Sequence, residues 1–277
     1  MEPCSNHGRS VRQSESAGAV KLKLLTLNLH KGFTQFNSRF VLHELRDAVR
    51  QESADLVFLQ EVVGTHHGHA ARHANWPDVP QYQFLADATW GNFAYGANAH
   101  YSQGHHGNAL LSKHPILHWH NHNISIGRLE QRGLLHCVIA VEGLESEVHV
   151  ICAHLGLRQS HRARQLHEIC HLIRRAVPPA APLFVAGDFN DWRLRAHGVL
   201  EHGAGLQEAF VQMHGQAART FPSRRPLLRL DRVYFRNAQV VNTEVLSARP
   251  WSSLSDHAAL CVEAHVGAAI SRRPATA

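Results

Sequence analysis

Short strand-like runs constrain this chain more than any other feature. Ten are legible: 22–29, 55–60, 83–86, 108–112, 134–141, 147–153, 183–186, 230–236, 240–245 and 258–264. Several, such as Val150-Ile151-Cys152-Ala153, are apolar on both faces, the mark of strands covered on both sides. Only two helices are equally clear. One spans 38–52, with Ser38 as its N-cap and Val41, Leu45, Ala48 and Val49 as its buried stripe. The other spans 160–176, with Leu166, Ile169, Cys170 and Ile173 inward, and Pro178-Pro179 stops it. A shorter helix is expected after Asp191. Strict strand–helix alternation is absent, which disfavours a Rossmann sheet or a (β/α)8 barrel. Two packed sheets with helices on the outside fit better.

The segment 64–107, rich in His, Gly, Ala and Asn, reads as a long and sparsely structured loop at the mouth of a site. Trp76, Trp90, Tyr95 and Tyr101 pack it from within or stack on a substrate ring. No Pro/Gly/Ser linker and no internal repeat divides the chain. One domain over 21–270 is expected, with disordered tails at 1–20 and 271–277.

Composition sets outer limits. No apolar run approaches the ~18 residues of a membrane span. The first twenty residues lack the apolar stretch of a secretory signal, so the expected compartment is cytoplasmic. The net charge of +6 comes with 24 Arg and 4 Lys, a balance suited to phosphate or carboxylate but too mild to establish nucleic-acid binding. Of the five Cys, none forms a Cys-x-x-Cys pair and four sit in apolar patterns, where they pack as small hydrophobes. The 25 His concentrate in runs such as His66-His67-Gly68-His69, His105-His106 and His118-Trp119-His120-Asn121-His122. In the last, alternate imidazoles share one strand face. Each run is either an exposed polar surface or a transition-metal chelator.

The chemistry stands where strands run out. Leu25-Thr26-Leu27 ends in Asn28, and Leu56 to Gln60 ends in Glu61. Val150 to Ala153 ends in His154, and Leu183 to Ala186 ends in Gly187-Asp188-Phe189-Asn190. Asp231 opens another strand, and Ser255-Asp256-His257 precedes the last. Singly, each is an ordinary turn or solvated residue. Six such polar strand endings, straight after or before apolar runs, converge if sheet packing brings them to one rim.

Asn28, Gln60-Glu61, Gly107-Asn108-Ala109, His154-Leu155, Gly187-Asp188-Phe189-Asn190, Leu230-Asp231-Arg232-Val233 and Ser255-Asp256-His257, in this order, resemble the successive motifs of the endonuclease/exonuclease/phosphatase superfamily. The resemblance covers about residues 21–266. It implies a DNase I-like α/β four-layer sandwich, two packed mixed β-sheets flanked by helices. It also implies hydrolysis of phosphate esters with Mg²⁺ or Mn²⁺, on one metal or two. In that frame Glu61 is the primary metal ligand, a hard anionic oxygen for a hard ion. Asn28 beside it binds the metal through water or holds the phosphate, and Asp256 touches that metal or a second one. Asp188 and Asn190 face water and a phosphoryl oxygen, His257 is oriented by Asp231, and His154 is the second catalytic His. The general base is either Asp188 or the Asp231–His257 pair. His154 stands where abasic-site endonucleases carry an aromatic, which points to the DNase, phosphatase and sphingomyelinase side.

Substrate contacts are expected from Asn108, Arg132 and Arg162. Arg132 reaches a phosphate or closes a hairpin salt bridge. Arg162 contacts a phosphate near a helix N-terminus or lies on a solvated face. The expected substrate is a phosphate ester, either nucleic acid or a phospholipid or small molecule, with no obligate protein partner. The alternative is a binding or scaffolding protein on the same fold without turnover.

Overall fold

The computed structural model describes residues 18–128 and 130–267. The expected tails therefore fall largely on residues 1–17 and 268–277, outside the described residues. In chain order the elements are β1 (Val20–Asn28), α1 (Leu42–Glu52), β2 (Leu56–His66), α2 (His67–Arg72), α3 (Gln81–Ala86), β3 (Asn92–Tyr101), β4 (Gly104–Ser112), β5 (Ile116–Asn123) and β6 (Gly133–Ile139). They continue with β7 (Val148–His154), α4 (Gln159–Ala176), β8 (Leu183–Asp188), α5 (Arg195–Ala204), β9 (Gln207–Glu208), α6 (Ala209–His214), β10 (Asp231–Arg236), β11 (Gln239–Leu246) and β12 (Ala259–Val266).

The strands form two six-stranded mixed sheets, ordered β11-β12-β1-β2-β4-β3 and β5-β6-β7-β8-β10-β9. Both-face apolarity has a direct cause. Leu22, Leu24 and Phe58 of the first sheet meet Cys137, Phe184 and Val233 of the second in a central core. Leu25, Leu27 and Val57, on the opposite face, meet Leu45 and Val49 of α1. Ile151 and Val185 likewise meet Leu166, Ile169 and Ile173 of α4. The layers are thus helix, sheet, sheet, helix, as expected. Cys137, Cys152, Cys170 and Cys261 are free and buried in these cores. Among the described residues no helix is long and apolar enough to cross a membrane.

Three expectations fail locally. The run 83–86 is the end of α3, not a strand; Phe84 N donates to Pro80 O, closing a helical turn. A run of four residues, three of them apolar, cannot distinguish the two periods. The segment 64–107 is not a sparse loop: it holds the end of β2, two short helices, β3 and the start of β4. Trp90 is fully buried and donates Nε1–H to Ala54 O, Trp76 stacks on Phe40, and Tyr95 stacks on Tyr82. Ser38 does not cap α1, which begins four residues later without a side-chain cap. Its hydroxyl instead pairs with Thr34 Oγ1 and Gln35 O in the preceding turn.

Candidate active site

Register carries the polar strand ends to one rim. β1 and β2 are parallel, with Asn28 opposite Gln60. β7 and β8 are parallel, with His154 opposite Asp188, and antiparallel β10 sets Asp231 opposite Asp188. β12 runs antiparallel to β1, with Leu260 opposite Thr26, so the His257 that precedes it arrives at the same end. Gly187 has φ +143°, and a Cβ there would lie 1.9 Å from Ala153 O. Only glycine allows β7 and β8 to close at this point.

Glu61 is aimed by a bulge. Leu59 faces Ala109 and Val62 faces Gly107, so Gln60 and Glu61 together stand against Asn108 alone. Glu61 has φ +54°, a conformation non-glycine residues hold only under constraint. Burial pushes its pKa up, but Lys31 with His154, His106 and His30 outweighs that and holds it at about 2. Its Oε2 lies 3.2 Å from Lys31 Nζ, yet it is buried without a hydrogen-bond partner.

Asp188 is the hub. Its Oδ2 accepts from Asn28 Nδ2 at 3.1 Å and lies 3.6 Å from His154 Nε2 and 3.9 Å from His257 Nε2. Its Oδ1 accepts from the Asn190 backbone N–H at 2.9 Å. Burial raises the Asp188 pKa and the Asp231 charge adds to it, against the pull of His257. His257 Nδ1 lies 2.9 Å from Asp231 Oδ2. A carboxylate can only accept there, so Nδ1 carries the proton. Burial lowers the His257 pKa, but Asp231 and Asp188 outweigh it and the net shift is upward. His154 is pushed far down by burial and by Arg132, and is neutral.

The remaining candidates are less centred on this hub. Asp256 Oδ1 lies 3.4 Å from Ser255 Oγ and 3.8 Å from His30 Nδ1. Ser255 Oγ donates to Asn28 O at 2.6 Å, tying the two strand ends together. Asn190 has φ +50°, and its Nδ2 donates to Leu155 O at 3.0 Å. The three substrate-side candidates turn their polar groups to the protein. Asn108 Nδ2 donates to Gly133 O and Cys152 O, bridging the sheets. Arg132 Nε donates to Leu155 O, and its Nη2 is 4.0 Å from Glu130. Arg162 is buried, donates to Gly156 O and Leu157 O, and lies 4.7 Å above the Trp192 ring. Lys31, His30 and His106 were not among the expected site residues. Lys31 stands three residues past the Asn28 strand end and His106 two before Asn108, a proximity in sequence that marks them only in retrospect.

A profile of the Endonuclease/Exonuclease/phosphatase family matches residues 25–257, which takes in every polar strand end just described. The chain belongs to that family. Members of the endonuclease/exonuclease/phosphatase family are generally hydrolases of phosphate esters and typically depend on a divalent metal. The uncharacterized protein YbhP of Escherichia coli K12 is 52% identical over 244 residues, covering 88% of this chain and 96% of YbhP. The endonuclease/exonuclease/phosphatase protein of Beutenbergia cavernae superposes with a TM-score of 0.69 at 20% identity, over 89% of this chain and 72% of the other. The mannosyl-6-phosphatase Bt3783 of Bacteroides thetaiotaomicron superposes with a TM-score of 0.65 at 14% identity, over 88% and 99%. Likeness at that identity speaks for the fold.

Proposed function

We propose that this chain is a divalent-metal-dependent phosphoric ester hydrolase that works by attack of an activated water. The observation that carries this reading is the Asp188 carboxylate, held by Asn28 and flanked at 3.6 and 3.9 Å by two imidazoles of opposite protonation tendency. Groups whose environments push their pKa values apart are how one site supplies acid and base together.

The donor set fits a hard cation. Glu61 is ionised at neutral pH, an anionic oxygen of the kind a hard cation takes, and its Oε2 is balanced by Lys31 Nζ at 3.2 Å. Glu61 would hold Mg²⁺ or Mn²⁺, with Asn28 and Asp256 as the further oxygen donors proposed for it. Bound there, the ion supplies charge neutralisation at a phosphoryl oxygen.

The chain's own groups do the rest. Asp188 takes the proton of the attacking water, because burial and the Asp231 charge raise its affinity for a proton. His257, kept protonated by Asp231, donates Nε2–H to the charge building on the phosphorane. His154, neutral, sits beside the same oxygen and donates toward the leaving group. Arg162 and Arg132 act on the 154–157 turn by fixing its carbonyls at Leu155, Gly156 and Leu157. Asn108 holds the two sheets at the distance the site requires. Residues 21–270 are read as one catalytic domain. The general base is thereby assigned to Asp188 rather than to His257.

The test is a hydrolysis panel: a generic phosphodiester, a phosphomonoester, plasmid DNA and a phospholipid, each with Mg²⁺ and with EDTA. Turnover of at least one, abolished by EDTA, is expected. A nucleic-acid substrate adds a steep loss of affinity with salt, whereas a small ester does not. No metal-dependent turnover anywhere would favour the non-catalytic binding role instead.

A further inference from the structure

A second cluster of metal-competent side chains lies away from the rim and takes no part in the reaction proposed above. β5 is the edge strand of the second sheet, and His118, His120 and His122 alternate along one of its faces. His120 faces His136 of β6, while His118 faces Val138, which in turn faces His149 of β7. Five imidazoles therefore collect on one face across three adjacent strands. The rings of His120 and His122 are 4.4 Å apart, and those of His122 and His136 are 6.4 Å apart. His136 Nε2 and His149 Nδ1 share a hydrogen bond of 3.0 Å. β5 is separated from β8 and its Asp188 by three strand spacings, roughly 14 Å.

This is not an ion-pair surface. Burial pushes the His136 pKa down to about 4, and the charges that act on it are the other four imidazoles, which lower it further. Burial likewise lowers His122, with His120 and Arg175 adding to the effect. A neutral imidazole offers a metal one ring-nitrogen lone pair. Neutral imidazoles suit zinc, copper and nickel, not the oxygen-seeking Mg²⁺.

We propose that His120 and His122, with His136 as third donor, form a binding site for a borderline divalent transition ion such as Zn²⁺, Ni²⁺ or Cu²⁺. The His-x-His pair on the edge strand supplies a two-point chelate. In the tautomer in which His136 donates Nε2–H to His149 Nδ1, its own Nδ1 keeps the lone pair and is the ligating atom. Among the described residues the three-residue group whose donor atoms already lie within 4.8 Å of one another is Asp188, Asp231 and His257. Closing the imidazole site thus requires its rings to turn. His120 is exposed and His122 only partly covered, so both have room to do so.

The experiment is a calorimetric Zn²⁺ titration of the full chain in excess Mg²⁺, repeated with Ni²⁺. Wild type is expected to take up one equivalent. The His120→Ala/His122→Ala double variant should lose it, and His149→Ala should weaken it about 10–100-fold. The His66→Ala/His69→Ala variant, which removes an even closer imidazole pair with rings 3.7 Å apart, should leave uptake unchanged. A His120→Gln/His122→Gln variant keeps polarity at the edge strand if the alanine form folds poorly, and metal-free thermal unfolding reports that directly. Nitrogen hyperfine coupling in the Cu²⁺ spectrum should identify imidazole ligation in wild type and vanish in both double variants at β5. No Zn²⁺ or Ni²⁺ uptake in excess Mg²⁺, or uptake that survives both β5 double variants, would overturn the proposal. Mg²⁺-dependent hydrolysis should be the same in wild type and the β5 variants.

Discussion

Replacing Asp231 with Asn probes the site's electrostatics with little change of shape. Asp231 is buried, its Oδ2 2.9 Å from His257 Nδ1. At an effective dielectric of about 20, unit charges at that distance attract by about 6 kcal/mol before any desolvation. Asp188, 3.9 Å from Nε2, supplies about 4 kcal/mol on the same scale. Burial opposes both, so losing the larger attraction leaves His257 much less able to hold its proton. The asparagine amide also offers the imidazole a wrong tautomer. The expected loss in kcat is about 10²–10⁴, or roughly 2.7–5.4 kcal/mol of transition-state stabilisation. The assay is a pH–rate profile on whichever panel substrate turns over. In wild type the acid limb reports ionisation of Asp188 and the alkaline limb deprotonation of His257. In Asp231→Asn the alkaline limb should move to lower pH by more than about one unit, each unit standing for 1.36 kcal/mol. Activity within about threefold of wild type, with an unmoved alkaline limb, would refute the claim that Asp231 keeps His257 protonated.

Further outcomes follow from the same geometry. His257→Ala should lose at least about 10² in rate while retaining the wild-type unfolding midpoint to within a few degrees. Glu61→Gln should require far more Mg²⁺ for half-maximal activity, and calorimetry should show the same loss of Mg²⁺ affinity; unchanged affinity would remove Glu61 from the metal. The Glu61 pKa is depressed from its ordinary 4.5 to about 2, so its ionic stabilisation is fully present above about 4.5 and is lost as pH falls toward 2. Wild type should therefore lose more stability than Glu61→Gln over that window, measured by urea unfolding at stepped pH. Gly187→Ala forces a Cβ against Ala153 O and should cost at least about 1–3 kcal/mol, read from the same urea curves.

Much of the site was legible because each of its residues is local to a strand end. Asp188, His154 and Asn28 directly follow apolar runs, and that pattern needs no knowledge of the fold. What pulls them together was not local. The Asn28–Asp188 bond joins residues 160 apart, across two different sheets. The Glu61 bulge was invisible because nothing in Gln60-Glu61-Val62 signals a positive φ; the bulge exists only against β4. β3 went unread because Asn92 to Tyr101 carries Gly, Ala, Asn and His where a buried strand carries branched apolar residues. Its partner β4 and its edge position allow that composition. Lys31 and His106 escaped for a similar reason, since their importance is their distance from Glu61 rather than any neighbour in sequence.

The most direct measurement is Mg²⁺-dependent hydrolysis of the ester panel by wild type and by Asp188→Asn, prepared in parallel and shown to be folded alike. Wild type should turn over at least one ester, lose that activity in EDTA and regain it with Mg²⁺, while Asp188→Asn retains less than about one part in 10². Turnover that survives EDTA, or an Asp188→Asn enzyme as fast as wild type, would contradict the assignment of Asp188 as the centre of a metal-dependent phosphoesterase.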